Sequence, residues 1–236
     1  MSEQVGKSAI MFDPHPDDAD YWTGGLSLML RQIGWDVHYV CVGKTSEDTR
    51  AQALASAKIL DVKRHFLEIE LTGNSSMRDQ IAAGVRDVMP RIKPTMVFIP
   101  AFTDYHQEHV ELSRELMPIF RRGMIRGCEY YNYDSHDGAD PVEIYIDTSA
   151  VFEKSIEALK CHTYFERPPY PPGMNTLTRV KTGRAMMLGT SIPIGCTWYA
   201  EGYRPIYGHP REVSTLRLLF PQQFYYRPAT WLTSMW

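Results

Sequence analysis

Asp13-Pro14-His15-Pro16-Asp17-Asp18-Ala19-Asp20 packs four carboxylates and an imidazole into eight residues, stiffened by two prolines. Like charges held this close repel one another unless a cation or an arginine sits among them. The segment therefore reads either as a metal-binding loop or as a solvated acidic turn built on Asp-Pro. A second cluster, Asp104-Tyr105-His106-Gln107-Glu108-His109, shifts the balance toward metal, because it brings the nitrogen donors that the first cluster is short of. A catalytic zinc takes three protein ligands and keeps one position open for water, and two histidines with one carboxylate meet that count. No other nucleophile is evident: Ser27 and Ser46 do not sit in a G-x-S-x-G elbow, and no cysteine adjoins a histidine motif. Water activated by a metal is the expected attacking group. Gly43-Lys44-Thr45 lacks the glycine a phosphate loop needs five residues before Gly43, where His38 stands, and Gly24-Gly25 lacks the spacing of a dinucleotide site. No nicotinamide cofactor is expected.

The elements that must position these residues alternate between two periods. Ser8–Phe12, Val37–Val42, His65–Ile69 and Met96–Pro100 are β-rich runs, and Leu26–Ile33, Ala51–Leu60, Ile81–Arg91 and Val110–Arg121 have helical spacing. Strand–helix alternation predicts a Rossmann-like, doubly wound, mostly parallel sheet with helices on both faces. Both clusters follow β-rich runs, so both are expected at carboxyl ends of strands, where such sheets bind ligands. Thr23 is the expected cap of the first helix, Gly34 its end, Asp61 the end of the second, and Lys93-Pro94 the lead into the fourth strand. Beyond these, Glu129–Tyr133 and Glu143–Asp147 read as strands flanking a turn-rich Asp134–Pro141, and Ser149–His162 reads as a helix. Residues 1–236 are read as one domain in which 167–236 is an irregular part, containing the proline cluster Arg167–Gly173 and an aromatic tail, as a lid or an oligomer contact.

The chain's 236 residues are 44% hydrophobic and 22% charged, enough apolar material for one well-buried core. Its 25 Lys+Arg against 28 Asp+Glu give a net charge of -3 with no basic run, which argues against a nucleic-acid partner. The longest apolar stretches fall far short of the roughly 20 residues of a membrane span. The N-terminal ten residues lack the pattern of a secretory signal. The four cysteines lie far apart, as reduced thiols do, so the expected location is the cytoplasm.

Taken in order, the motifs resemble the PIG-L/LmbE-like zinc-dependent de-N-acetylases, which remove acetyl from N-acetylglucosamine-type sugars. Pro14-His-Pro-Asp-Asp-Ala-Asp20, with Gly24-Gly25 after it, is similar to the family's A-H-P-D-D-x-E and Gly-Gly, and His106-Gln-Glu-His109 to its H-P-D-H. Thr49–Val62, Lys93-Pro94, the stretch from Ile146 to His162 and Ala200-Glu201-Gly-Tyr-Arg204 resemble later family segments. The resemblance implies His15, Asp18 and His109 as ligands of Zn2+ or another divalent transition metal. It makes Asp17 the general base and His106 the group that stabilises the oxyanion or protonates the leaving amine. Glu108, between the two histidines, is expected to orient His106. Asp20, Arg50, Asn74, Tyr105 and Arg204 are further candidates for supporting or substrate contacts. Five positions depart from the family pattern: Asp20 replaces a glutamate, Gln107 a proline and Glu108 an aspartate, and Thr49 and Gln52 stand where the family often has an arginine that holds the sugar and a glutamate, with Arg50 displaced by one. The expected activity is removal of the N-acetyl group from a small sugar or glycoconjugate. Hydrolysis of another small amide or ester, or a metal-binding member without turnover, are the alternatives, and a homo-oligomer is compatible with either.

Overall fold

Alternation along the first strand sets the layers. In β1 (Ser8–Asp13), Ala9 and Met11 enter one apolar layer and Ile10 and Phe12 the other, so both faces are covered. The computed structural model describes residues 7–104, 106–123, 128–133, 142–166, 176–190, 192, 198–207 and 214–226. Among them β1 is joined by β2 (Asp36–Gly43), β3 (Lys63–Ile69), β4 (Met96–Ile99), β5 (Glu129–Tyr133), β6 (Ile144–Asp147), β7 (Ala200–Tyr207) and β8 (Phe224–Tyr226). The sheet order is β3-β2-β1-β4-β5-β7-β6-β8. The first five positions are parallel, and β7, β6 and β8 extend the sheet by antiparallel pairing.

The helices are α1 (Asp18–Gln32), α2 (Glu47–Leu60), α3 (Ser75–Ile92), α4 (Gln107–Gly123), α5 (Phe152–Leu159), α6 (Thr176–Thr190) and α7 (Thr215–Leu219). One core layer joins Leu26 and Leu30 of α1, Leu60 of α2 and Leu159 of α5 to Met11, Tyr39 and Phe98. The other joins Ile81 and Val85 of α3 and Leu112, Leu116 and Phe120 of α4 to Val40, Val97 and Ile99. This is the doubly wound α/β sheet expected from the alternating periods. Chain order reverses at β1, which pairs with both β2 and β4.

The first four helices begin earlier than their apolar spacing suggests, α1 by eight residues, because their opening turns carry polar and charged side chains. Thr23 is not a cap. It lies inside α1 and donates to the Ala19 carbonyl at 2.8 Å, while Asp17 holds the N-cap position. Gly34 at φ +79° and Asp61 in the left-handed region end α1 and α2 as expected. The part read as irregular contains α6, β7, α7 and β8. Its helix lacked a visible stripe because the buried positions of α6 are Thr178, Lys181, Ala185 and Leu188, whereas Val180, Met186 and Met187 face outward. Asp134–Pro141, Arg167–Gly173 and the final aromatic residues lie outside the described residues. No described helix is long and apolar enough to cross a membrane.

Candidate active site

Because β1 and β4 are neighbours, with Met11 beside Phe98, the loops leaving their carboxyl ends meet. The first runs through Pro14–Asp17 into α1 and the second into α4, so the two motifs open two helices on one rim. Gly43 closes the floor of the first loop: its N–H donates to the Pro14 carbonyl at 3.1 Å, and a Cβ there would stand 2.3 Å from that oxygen.

The motifs converge on Asp18. Its Oδ2 lies 3.1 Å from His15 Nδ1 and 3.2 Å from His109 Nε2, and it accepts the His15 backbone N–H at 2.9 Å. His15, His106 and His109 each present a ring nitrogen within a 4.8 Å group. His109 is buried, His15 half-buried and His106 exposed, so the group opens to solvent through His106. The Asp104 carboxylate ties the second motif together, with one oxygen 3.0 Å from His109 Nδ1 and the other accepting the His106 N–H at 2.9 Å. Glu108 does not orient His106 as expected; it hydrogen-bonds His15 Nε2. The first turn of α4 directs the residue before His109 back across to the other loop.

Charge in the site is strongly biased. Burial alone would lower the histidines, but the Asp18 carboxylate overrides it, raising His15 to about 9 with help from Asp17 and Glu108, and His109 to about 10 with help from Asp104. Asp18 itself is pushed up by burial, yet the two imidazoles hold it well below the carboxylate range. Asp17 is raised by burial and by Asp18, against the pull of His162 and a hydrogen bond from Tyr164. His106 is lowered by burial and by the other two imidazoles. Closely set nitrogen donors around a buried carboxylate are a donor set suited to a zinc-type ion.

Residues 10–120 match the family model described as PIG-L: GlcNAc-PI de-N-acetylase. That segment, just under half of the chain, is similar to the PIG-L family. Both sequence motifs lie in it. No protein of curated function matches the sequence. Among solved structures, GalB, the 4-carboxy-2-hydroxymuconate hydratase of Pseudomonas putida, is similar with a TM-score of 0.71 and 20% identity, over 88% of this chain and 99% of that one. N,N′-diacetylchitobiose deacetylase of Pyrococcus horikoshii is similar with a TM-score of 0.67 and 21% identity, over 85% and 84%. The zinc-inhibited form of teicoplanin deacetylase follows with a TM-score of 0.63 and 12% identity, over 84% and 97%. These likenesses establish a shared fold.

The remaining candidates are placed differently. Asp20 is fully buried and turned inward, where it meets the Arg64 guanidinium of β3 and, at 2.7 Å, His162 Nε2. Arg50 pairs with Glu68 and lies over the Phe66 ring at 4.6 Å. Asn74 accepts the Met77 N–H at 2.8 Å and caps α3. Arg204 stands 3.6 Å from the buried Glu143. Tyr105 lies outside the described residues. Reading the sequence assigned no role to Arg64 or Tyr164, placed Asp104 in the second cluster without a role, and placed His162 only at the end of a helix. The carboxylate two positions before His106 was the one local signal; the others reach the site only through the fold.

Proposed function

We propose that this chain is a metal-dependent hydrolase that removes the acetyl group from a small N-acetylated sugar or glycoconjugate. The observation that carries the reading is the convergence of His15 and His109 on Asp18, with Asp17 beside them and His106 on the open side. His15, Asp18 and His109 would hold a zinc-type ion, which when bound polarises the acetyl carbonyl and lowers the pKa of water. Asp17 takes the proton of the attacking water on its carboxylate, and its raised pKa suits it to that task near neutrality. His106, on the open side with its pKa lowered by partial desolvation and the two neighbouring imidazoles, offers an N–H to the developing oxyanion, and the proton taken up by Asp17 goes on to the departing amine nitrogen, directly or relayed through His106. The PIG-L match over 10–120 and the deacetylases of like fold support amide hydrolysis.

The likeness to GalB favours a second reading, in which the same activated water adds across the carbon–carbon double bond of an unsaturated acid. Acetate release from N-acetylglucosamine and N-acetylated glycosides separates the two, run beside an unsaturated dicarboxylate and with bound metal quantified. Zinc-loaded protein should release acetate, chelated protein should not, and reloading should restore it. Asp17→Asn should keep its metal and lose about 10³-fold in turnover. Acetate release that survives complete metal removal would end the metal reading, and hydration without acetate release would favour the second.

A further inference from the structure

Helix α1 carries the first motif, yet two residues from the far end of the chain enter its hydrogen-bond ladder. Lys181 of α6 is buried, and its Nζ donates to the carbonyls of Asp20 at 3.0 Å and Tyr21 at 2.7 Å, and to Glu201 Oε1 at 3.2 Å. Three donors thus meet three acceptors. Glu201 of β7, also buried, accepts the N–H of Gly25 on Oε1 and of Leu26 on Oε2, both at 2.8 Å, and the Tyr203 hydroxyl at 2.9 Å. Helix α1 is continuous from Asp18 to Gln32, so Lys181 adds a donor at the Asp20 and Tyr21 carbonyls and Glu201 adds acceptors at the Gly25 and Leu26 amides. Lys181 therefore serves the carbonyl side of this turn, and Glu201 serves its amide side.

Gly25 admits the close approach of Glu201, whereas Gly24 leaves ordinary contact distance to Lys181. A Cβ on Gly25 would stand 3.0 Å from Glu201 Oε1 and 2.7 Å from Thr148, and one on Gly24 would stand 3.5 Å from Lys181 Nζ. A buried ion pair is a weak source of stability but a strong constraint on geometry when every donor and acceptor is met, as here. The turn it grips begins at Asp20, two residues after Asp18 and three after Asp17.

We propose that Lys181 and Glu201 are a positioning pair that sets the turn carrying Asp17 and Asp18, so that α6 and β7 fix the first motif from behind. The proposal rests on the reading of those aspartates as site residues, and its test does not require turnover. In the full chain, zinc affinity is measured by competition with a chromophoric chelator, and hydrogen exchange is followed peptide by peptide. The proteins are wild type, Lys181→Met, Glu201→Gln and Leu216→Ala, the last a core truncation on α7 that serves as a control for general destabilisation. Glu201→Gln sets an amide N–H₂ against one of two backbone donors with little change in shape, so it tests the pair even if Lys181→Met fails to fold. Both pair variants should weaken zinc binding about tenfold or more. Exchange over Asp17–Leu26 should quicken about tenfold while the strands stay protected, and Leu216→Ala should change neither reading selectively. Unchanged affinity and exchange in folded Glu201→Gln would overturn the proposal, as would equal effects in Leu216→Ala. If wild type binds no zinc, the metal reading falls and the exchange result still decides.

Discussion

Two charged clusters share the first motif and treat water in opposite ways. His15, His106 and His109 gather around Asp18 with one side open, and their ring nitrogens face one another within 4.8 Å. Beneath them Arg64, Asp13, Asp20 and His162 are almost wholly sealed from solvent: the Arg64 Nη1 is 3.5 Å from Asp13 Oδ2, and its ring neighbour is Tyr39, at 4.8 Å. Both are made of carboxylates and cations, but only the open one leaves donor atoms reachable from outside. In the closed one the positive charge is a guanidinium that cannot leave, and Arg64 and His162 hold Asp20 below the carboxylate range against its burial. Asp13, with burial outweighing Arg64, rises well above that range. The same residue types thus leave donor atoms open to solvent in one place and fix a buried geometry in the other.

The largest expected effect lies in the closed cluster. Arg64→Met leaves Asp13 and Asp20 buried without their counter-charge and should cost about 3–5 kcal/mol, read as a lower urea midpoint. His106→Ala, exposed on the open side, should shift that midpoint by only about 0.5 kcal/mol. Equal losses from the two would erase the distinction. Asp104→Asn comes next. It keeps the shape of the contact to His109 while removing its charge, and should weaken zinc binding about 10–100-fold with the fold intact, as measured by metal competition. Retained affinity would show that Asp18 alone sets that imidazole.

The smallest effect is expected at a third group, the stacked rings of His38 and His65 on β2 and β3, whose facing nitrogens are 3.0 Å apart. Burial and the neighbouring His65 and Lys63 hold His38 down at about 4, opposite to His15 and His109 on the rim. A histidine lowered on folding binds fewer protons folded than unfolded. Its contribution is therefore present above about 6.5 and is lost as pH falls toward about 4. Stability should decline over that window, and His38→Gln should flatten the decline. An unchanged slope would show that the carboxylates, not this pair, govern acid sensitivity.

The clusters were legible in the sequence to different degrees. The open one was visible because its donors crowd into two short segments, each after a β-rich run, and local spacing was enough to set both on one rim. Its internal pairings were not visible. Glu108 was expected at His106 and bonds His15 instead, a choice set by how α4 faces the first loop. The closed cluster could be read only in part: Asp13 and Asp20 stood in the first motif, but Arg64 precedes the run taken as the third strand, and His162 only ends a run read as a helix. Helix α6 was hidden because Thr178 and Lys181 occupy its inner face.

By itself the sequence determined the strand and helix periods, the parallel half of the sheet, and which carboxylates and imidazoles gather at its rim. Those features depend on residues a few positions apart. Tertiary structure alone decided which partner each charge takes. Asp20 meets Arg64 44 residues away and His162 142 residues away, and its carbonyl meets Lys181 161 residues away. The physical reason is that a buried charge is tolerable only beside a specific partner, and at such separations that partner is chosen by the packing of layers, not by any local pattern.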